Sequence, residues 1–186
     1  MSTAQVIITQ VQKLLQDPAG DRWDASSDLL PWLNEARKEI VKEKPDANPV
    51  VEAVQLAAGA LQSLPSSATQ LLDVTCNMGT DGSTEGNMIT TVDRKYLDAF
   101  NPGWRSDSAS TEVTHIIYDP KRMPKKFWVY PKSTGTNYIE IITSEIPADV
   151  VIDADVVFGE EFDNARVHYT LVKAYSIDAE YAGSVE

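Results

Sequence analysis

The sequence predicts an α+β fold: an antiparallel helical bundle, made of two N-terminal helices and a long C-terminal helix, with an inserted antiparallel β layer. Three observations carry this reading. Apolar residues recur every three or four positions within residues 1–47 and again within 159–183, the period of a helix with one buried face. Between them, residues 50–148 are rich in β-branched side chains interrupted by Gly, Pro, Ser and Asp, the pattern of short strands and turns. Neither helical end can bury its apolar stripe alone, so the two ends of the chain are expected to pack together. The 186 residues are read as a single domain.

Each element follows from local chemistry. Residues 3–17 place Ile7, Val11, Leu14 and Leu15 on one side of a helix, which Pro18 is expected to end. A second helix should begin near Ser27 or Asp28, whose side-chain oxygens can cap free N–H groups. Pro31 then falls in its first turn, where a missing donor costs little. Leu29, Leu33, Ala36 and Ile40 share a face of that helix, and Pro45 stops it. Strands are expected at 50–56, 59–64, 70–76, 88–92, 112–118, 126–130 and 137–144, with a short helix at 93–100. Their spacing suggests a meandering sheet or small sandwich, and the glycines of residues 77–87 predict a flexible loop. Helical period returns near Asp163. Val167, Leu171, Ala174 and Asp178 form one row, while His168, Leu171, Val172, Tyr175 and Ala179 form an overlapping apolar stripe that ends at Gly183. Twenty residues make a helix of roughly 30 Å.

Composition excludes several function classes. Acidic residues outnumber basic ones 28 to 16, for a formal charge of −12, so affinity for nucleic acid through phosphate neutralisation is not expected. A single cysteine, Cys76, cannot staple a monomer. No apolar run approaches the roughly eighteen residues of a membrane span, and MSTAQVIITQ lacks the form of a secretion signal, so synthesis in the cytosol is expected.

Residues that could support chemistry are few. His115 and His168 lie in a strand and a helix pattern, read as a sheet-face and a helix-interface histidine, and with Cys76 they suggest no metal site. Cys76 follows an apolar strand and reads as a small buried hydrophobe. Gly79, Gly82 and Gly86 lack the Lys and Ser/Thr of a phosphate loop and open no helix, so no cofactor is expected. The carboxylates Asp153, Asp155, Glu160, Glu161 and Asp163 could pair as acid and base or bind Ca²⁺, but acidic residues ahead of a helix are also favourable for electrostatic reasons alone. Aromatic residues crowd the β layer, where Trp104, Tyr118, Phe127, Trp128, Tyr130 and Tyr138 occur. Phe127 and Trp128 point to opposite sides of one strand, so only part of this set can share a face; core packing plus a protein interface is the economical account.

A set of blocks in fixed order goes beyond composition. DPAGDRW at 17–23, DLLPWLNEARKEIVKEKPDA at 28–47, LPSSATQLLDVTCNMG at 64–79, VDRKYLDAFNPGW at 92–104, YDPKRMPKKFWVYP at 118–131 and KAYSIDAEYAG at 173–183 together span nearly the whole chain. With them the sequence resembles the head-to-tail adaptor proteins of tailed bacteriophages, the portal-docking connectors built from a helical bundle and an inserted β layer. That resemblance implies a structural virion protein without enzyme activity. It implies a homo-oligomeric ring of twelve copies at the neck of the virion, assembled in the host cytoplasm, with the portal ring on one side and a tail tube, nozzle or tail-completion protein on the other. Double-stranded DNA would pass through without sequence-specific binding, and an acidic lumen would repel its backbone. Related adaptors continue beyond the DAEYAG block with a further helical segment that reaches into the portal, whereas this sequence stops at Glu186; docking then falls to other parts, or the chain is shortened.

In that light the interface residues are expected to be Trp104, Trp128, Tyr130 and Tyr138. The bundle core is expected to be Trp23, Leu29, Trp32, Leu33, Ile40, Leu171 and Tyr175, with each full burial worth about 1.5–3 kcal/mol. A tail or baseplate module that binds carbohydrate or protein through the aromatic β layer is the alternative, and a hydrolase with paired carboxylates the third reading.

Overall fold

Chain contacts in the computed structural model separate the protein into two units, residues 1–48 with 146–186 and residues 49–145, and the structure describes residues 2–156 and 158–183, with side chains to 178. The first unit is helical. Helix α1, Ala4–Leu14, starts at Thr3, whose hydroxyl accepts from the Val6 N–H, and buries Ala4, Ile7, Ile8 and Val11. It stops before Pro18. Gln16 adopts a left-handed φ of 58°, its N–H donates to the Lys13 carbonyl, and the Asp17 N–H donates to the Gln12 carbonyl. This Schellman closure satisfies the last carbonyls, so proline is not what ends the helix. The Asp17 carboxylate then accepts from the backbone N–H groups of Asp21, Arg22 and Trp23 and closes the following loop.

The second helix begins earlier than Ser27 or Asp28. Asp24 is the cap, accepting from the N–H groups of Ser26 at 2.9 Å and Ser27 at 2.8 Å, while Asp28 reaches back to accept from the Asp24 N–H. This reciprocal arrangement satisfies donors at both positions, and a π-helical turn over Ala25–Leu29 leads into α2, Leu30–Glu43. Pro31 occupies the first turn of α2 as the sequence suggests. Helix α4, Asp163–Gly183, packs on α2 and α1. Ion pairs between Lys173 and Glu35 at 2.9 Å and between Arg22 and Asp178 tie the helical segments on the solvent side.

The bundle core is built from α1, α2 and α4. Leu29 and Leu33 are fully buried with Ile7, Ile8, Val11 and Val167, and Leu171 packs half-buried against them. Trp23 and Trp32 meet edge to face at 5.3 Å beside this cluster. Two expected core residues lie elsewhere. Ile40 packs against a separate cluster of Val41, Ala47 and Phe158, because α2 carries it a further two turns along. Tyr175 is 54% exposed and Val172 63% exposed, so that part of the expected stripe faces solvent while Leu171 stays half-buried. The buried row of α4 is instead Arg166, Val167, Thr170 and Ala174. His168 is likewise exposed rather than at a helix interface, and the Ala179 side chain lies outside the described residues. Periodicity admitted two overlapping stripes; the inward one is set by two polar residues, Arg166 and Thr170, that find partners inside.

The second unit is β-rich and its strands do not meander. One sheet has the order β1-β7-β3, with β1 at Pro49–Gln55, β3 at Ala68–Asn77 and β7 at Tyr138–Glu145. The other has the order β2-β6-β5-β4, with β2 at Gly59–Ser63, β4 at Thr90–Thr91, β5 at His115–Tyr118 and β6 at Lys126–Ser133. All pairs are antiparallel except β4 with β5. The last strand in sequence is therefore the centre of the first sheet, and Ile139, Ile141 and Thr143 on its inner face are wholly buried. Both sheets feed one core, in which Leu71, Val74, Ile139 and Ile141 meet Ile116, Phe127 and Val129. Asn77 crosses this core as a polar strut: its amide donates to the carbonyls of Asn87 and Val113, and its oxygen accepts from the Val113 N–H. All three bonds close between 2.8 and 2.9 Å, so the buried amide is satisfied.

The glycine-rich loop between β3 and β4 is pinned rather than open. Asp81 accepts from the N–H groups of Ser83 and Thr84 and from the Thr84 hydroxyl, which holds its carboxyl far below the usual range. Gly82 sits at φ 73° directly against Tyr138, whose ring would lie 3.0 Å from any added Cβ.

Candidate functional site

The aromatic set read from the sequence divides into two places. Trp104, Trp128 and Tyr130 gather where the short helix α3, Arg94–Phe100, covers the β2-β6-β5-β4 sheet, sharing a cluster with Leu97 and Ile117. Tyr138 belongs to the other sheet, where its hydroxyl donates to Gln55. Phe127 turns into the main core and Trp128 to the α3 side, as strand alternation requires.

Trp104 is not a surface residue. It is 1% exposed, its indole N–H donates to Asp98 Oδ1 at 3.0 Å, and its ring meets Tyr130 edge to face at 6.4 Å. The tight turn after α3, where the Trp104 N–H donates to the Asn101 carbonyl, folds the ring inward under the helix. Tyr130 is half-buried and donates its hydroxyl to Asp107 at 3.2 Å. Trp128 is half-buried as well, with the Arg105 guanidinium 5.8 Å from its ring centre and 4.9 Å from that of Trp104. One arginine thus caps both indoles.

Trp128 also forms part of the floor of a groove of about 630 Å³. Ile117 and Tyr118 complete that floor, and residues 92–95 and 119–123 make the walls. Burial pushes the Tyr118 hydroxyl up, and its oxygen accepts from the Leu71 N–H while its hydroxyl donates to the Pro124 carbonyl, so it braces the floor rather than offering an acid or base. Four basic residues rim the groove: Arg94, Lys95, Lys121 and Arg122. Arg94 pairs with Asp98 at 3.3 Å and Arg122 with Asp119 at 3.5 Å. Lys95 and Lys121 form no ion pair among the described residues. This basic rim is what reading the aromatics alone misses. Its signal is the clustering of cations in VDRKY and YDPKRMPKK, which a net charge of −12 conceals.

The other candidates do not converge. Cys76 is buried beside Met78, and no group of three or more His, Cys, Asp or Glu able to hold a metal occurs among the described residues. Of the acidic residues before α4, Asp163 accepts from the Ser2 hydroxyl at 2.6 Å and pairs with Arg166, a structural role at the helix start. Asp153, Asp155 and Glu161 project outward as exposed side chains. Among the described residues no helix is long and apolar enough to cross a membrane.

Charge is distributed unevenly between the units. The helical unit holds 17 of the 28 carboxylates and 8 of the 16 basic residues, a net −9 against −3 for the β-rich unit. Two of the eight, Arg37 and Arg166, are 0% exposed, so the helical unit presents a more acidic surface than its composition states.

A search of curated proteins finds no match to the chain. The family model of the SU10 adaptor protein matches residues 2–185, nearly the whole sequence, with the helices and both sheets inside the matched span. The chain therefore belongs to the SU10 adaptor protein family and is a phage adaptor, a structural protein that joins head to tail.

Proposed function

We infer that this protein is the repeating subunit of a homo-oligomeric ring at the neck of the virion, one adaptor domain per copy. The ring docks on the portal and connects it to the tail tube, nozzle or tail-completion protein. The reading assigns the protein no enzymatic step: it works by shape and charge. The observation that carries it beyond family membership is the acidity of the helical unit, where 17 carboxylates stand against 8 basic residues, two of which, Arg37 and Arg166, are buried. A passage lined by such a surface repels phosphates and lets DNA slide during packaging and ejection.

Sedimentation and negative-stain imaging of the purified protein, alone and with portal rings, test this. Rings, or portal complexes of fixed stoichiometry, are expected, and Glu160→Gln is expected to leave assembly intact as a single surface change. A protein that stays monomeric, ignores portal rings and binds glycans through Trp128 would replace this reading with that of a carbohydrate-binding module.

A further inference from the structure

The groove of the β-rich unit combines an apolar floor with a basic rim. Its floor is apolar and aromatic, with Ile117 and Trp128, and its rim carries four cations against the two carboxylates Asp93 and Asp119. Both carboxylates are engaged locally, Asp93 accepting from the Lys95 N–H and Asp119 from the N–H groups of Lys121 and Arg122. Lys95 and Lys121 form no ion pair among the described residues and flank the apolar floor. Such a site fits a short acidic segment that also brings an apolar side chain, because the segment satisfies rim and floor together. Duplex DNA satisfies the rim alone and must approach a chain of net charge −12.

The chain itself contains a segment of that description. Residues 151–155 of the helical unit are irregular, Val151 is 70% exposed, and Asp153 and Asp155 are exposed beside it. The segment is tied at its far end, where the Ala4 N–H donates to the Ala154 carbonyl and the following Val156 N–H to the Ser2 carbonyl, and the chain just before it is held from inside. The Asn34 amide donates to the Val150 carbonyl and accepts from the Val150 N–H, and Arg37 donates to the Ala148 carbonyl. An acidic, partly apolar strip is thus presented in a fixed conformation, with little ordering left to be done on binding.

We propose that the groove lined by Lys95, Lys121 and Trp128 receives residues 151–155 of a second copy of this chain, with Val151 on the Trp128 floor and Asp153 and Asp155 on the lysines. This rests on the ring reading above and names the surfaces that join neighbours. Groove and segment are different patches of each subunit, so the contact is heterologous and propagates head to tail, the form a closed ring requires.

Charge exchange tests it. Lys95→Glu/Lys121→Glu and Asp153→Lys/Asp155→Lys are made separately and followed by sedimentation velocity at low and high salt, with circular dichroism melts to check folding; all four positions are exposed. Each variant alone is expected to self-associate at least tenfold more weakly than the unmodified protein. An equimolar mixture is expected to recover association, because every groove again faces a segment of opposite charge. If the unmodified protein forms rings and the variants do so equally well, the groove assignment is overturned while the ring reading stands. If each variant is weakened but the mixture does not recover, the pairing is overturned. A groove variant that still self-associates but no longer retains duplex DNA at low salt identifies nucleic acid as the occupant and overturns it too. An unmodified protein that remains monomeric at all concentrations removes both readings.

Discussion

Trp104 provides the sharpest test of how the aromatic cluster is used. The structure makes it a packing residue: 1% exposed, set among Leu97, Ile117 and Tyr130, with its indole N–H on Asp98. Truncating a buried aromatic of this size to alanine costs about 3–5 kcal/mol, since the surrounding backbone closes the cavity only in part. That is a large fraction of the roughly 5–15 kcal/mol that holds a domain folded. Trp104→Phe separates the two contributions. It keeps a ring in the site but removes the donor to Asp98, whose carboxylate is 47% exposed and retains Arg94 as a partner. A lost bond to such a water-facing acceptor, plus the missing pyrrole edge, comes to about 1–2 kcal/mol. Urea unfolding followed by far-ultraviolet circular dichroism measures both, with an unchanged slope showing that stability and not the unfolded state has moved. The reasoning fails if Trp104→Ala melts within about 1 kcal/mol of the unmodified protein while binding of a virion partner is lost. Trp104 would then be a contact residue that the fold does not need.

Two further outcomes follow from the geometry. Gly82→Ala forces a side chain into a left-handed position and brings its Cβ to 3.0 Å from the Tyr138 ring, so a loss of about 1–2 kcal/mol and faster proteolysis of the 78–88 loop are expected. Equal cleavage of variant and unmodified protein would show that the loop is not held by this contact. The Glu35–Lys173 pair gives a pH dependence with a defined sign. The hydrogen bond from Lys173 lowers the Glu35 carboxyl below its ordinary 4.5, so its contribution is present above that value and fades as pH falls through the depressed one. The same contact raises Lys173 above 10.5, so the contribution fades again as pH climbs through the raised value. Glu35→Gln should flatten the acid limb of thermal stability measured at low salt. Both side chains are more than a third exposed, so the difference should largely vanish at 1 M salt, where screening acts over about 3 Å; an unchanged acid limb at low salt would discount the pair.

Legibility in the sequence tracked how local the deciding physics is. Leu29 and Leu33 were readable because helical period depends on neighbours three and four residues away. The same period could not choose between the two stripes of α4, because Arg166 and Thr170, polar by type, are the inward residues and only their partners, the Asp163 carboxylate and the Phe158 and Arg166 carbonyls, show why. The capping role of Asp24 is not legible because the π-helical turn it opens precedes the apolar period by several residues. Strand existence was readable and strand order was not: that β7 lies between β1 and β3 depends on pairings about sixty to ninety-five residues apart. The cluster of Trp104, Trp128 and Tyr130 was visible as a local concentration of aromatics. Its burial was not, since Trp104 follows α3 in a turn, where no alternation tells inside from outside.

The formal charge of −12 hides two opposite arrangements, and the buried arginines connect them. Arg37 and Arg166 approach the Phe158 ring at 5.9 and 4.6 Å, and burial pulls both guanidinium groups below their ordinary range. Arg37 donates to Asn34 and to the Ala148 carbonyl; Arg166 pairs with Asp163 and donates to the Phe158 carbonyl. Buried cations add little net stability, because desolvation offsets what their partners return. What they do fix is conformation. Each ties the chain between β7 and α4 to the helical unit, and that chain carries Val151, Asp153 and Asp155 outward. Positive charge inside the helical unit therefore orders the negative segment on its surface, while the β-rich unit keeps Lys95 and Lys121, which form no ion pair among the described residues, at a groove. A protein that needed only to repel DNA could have scattered its carboxylates. One that must also recognise its neighbour gains from holding some of them in a fixed strip, and replacing Arg37 with methionine separates the two demands: the fold should tolerate it better than self-association does.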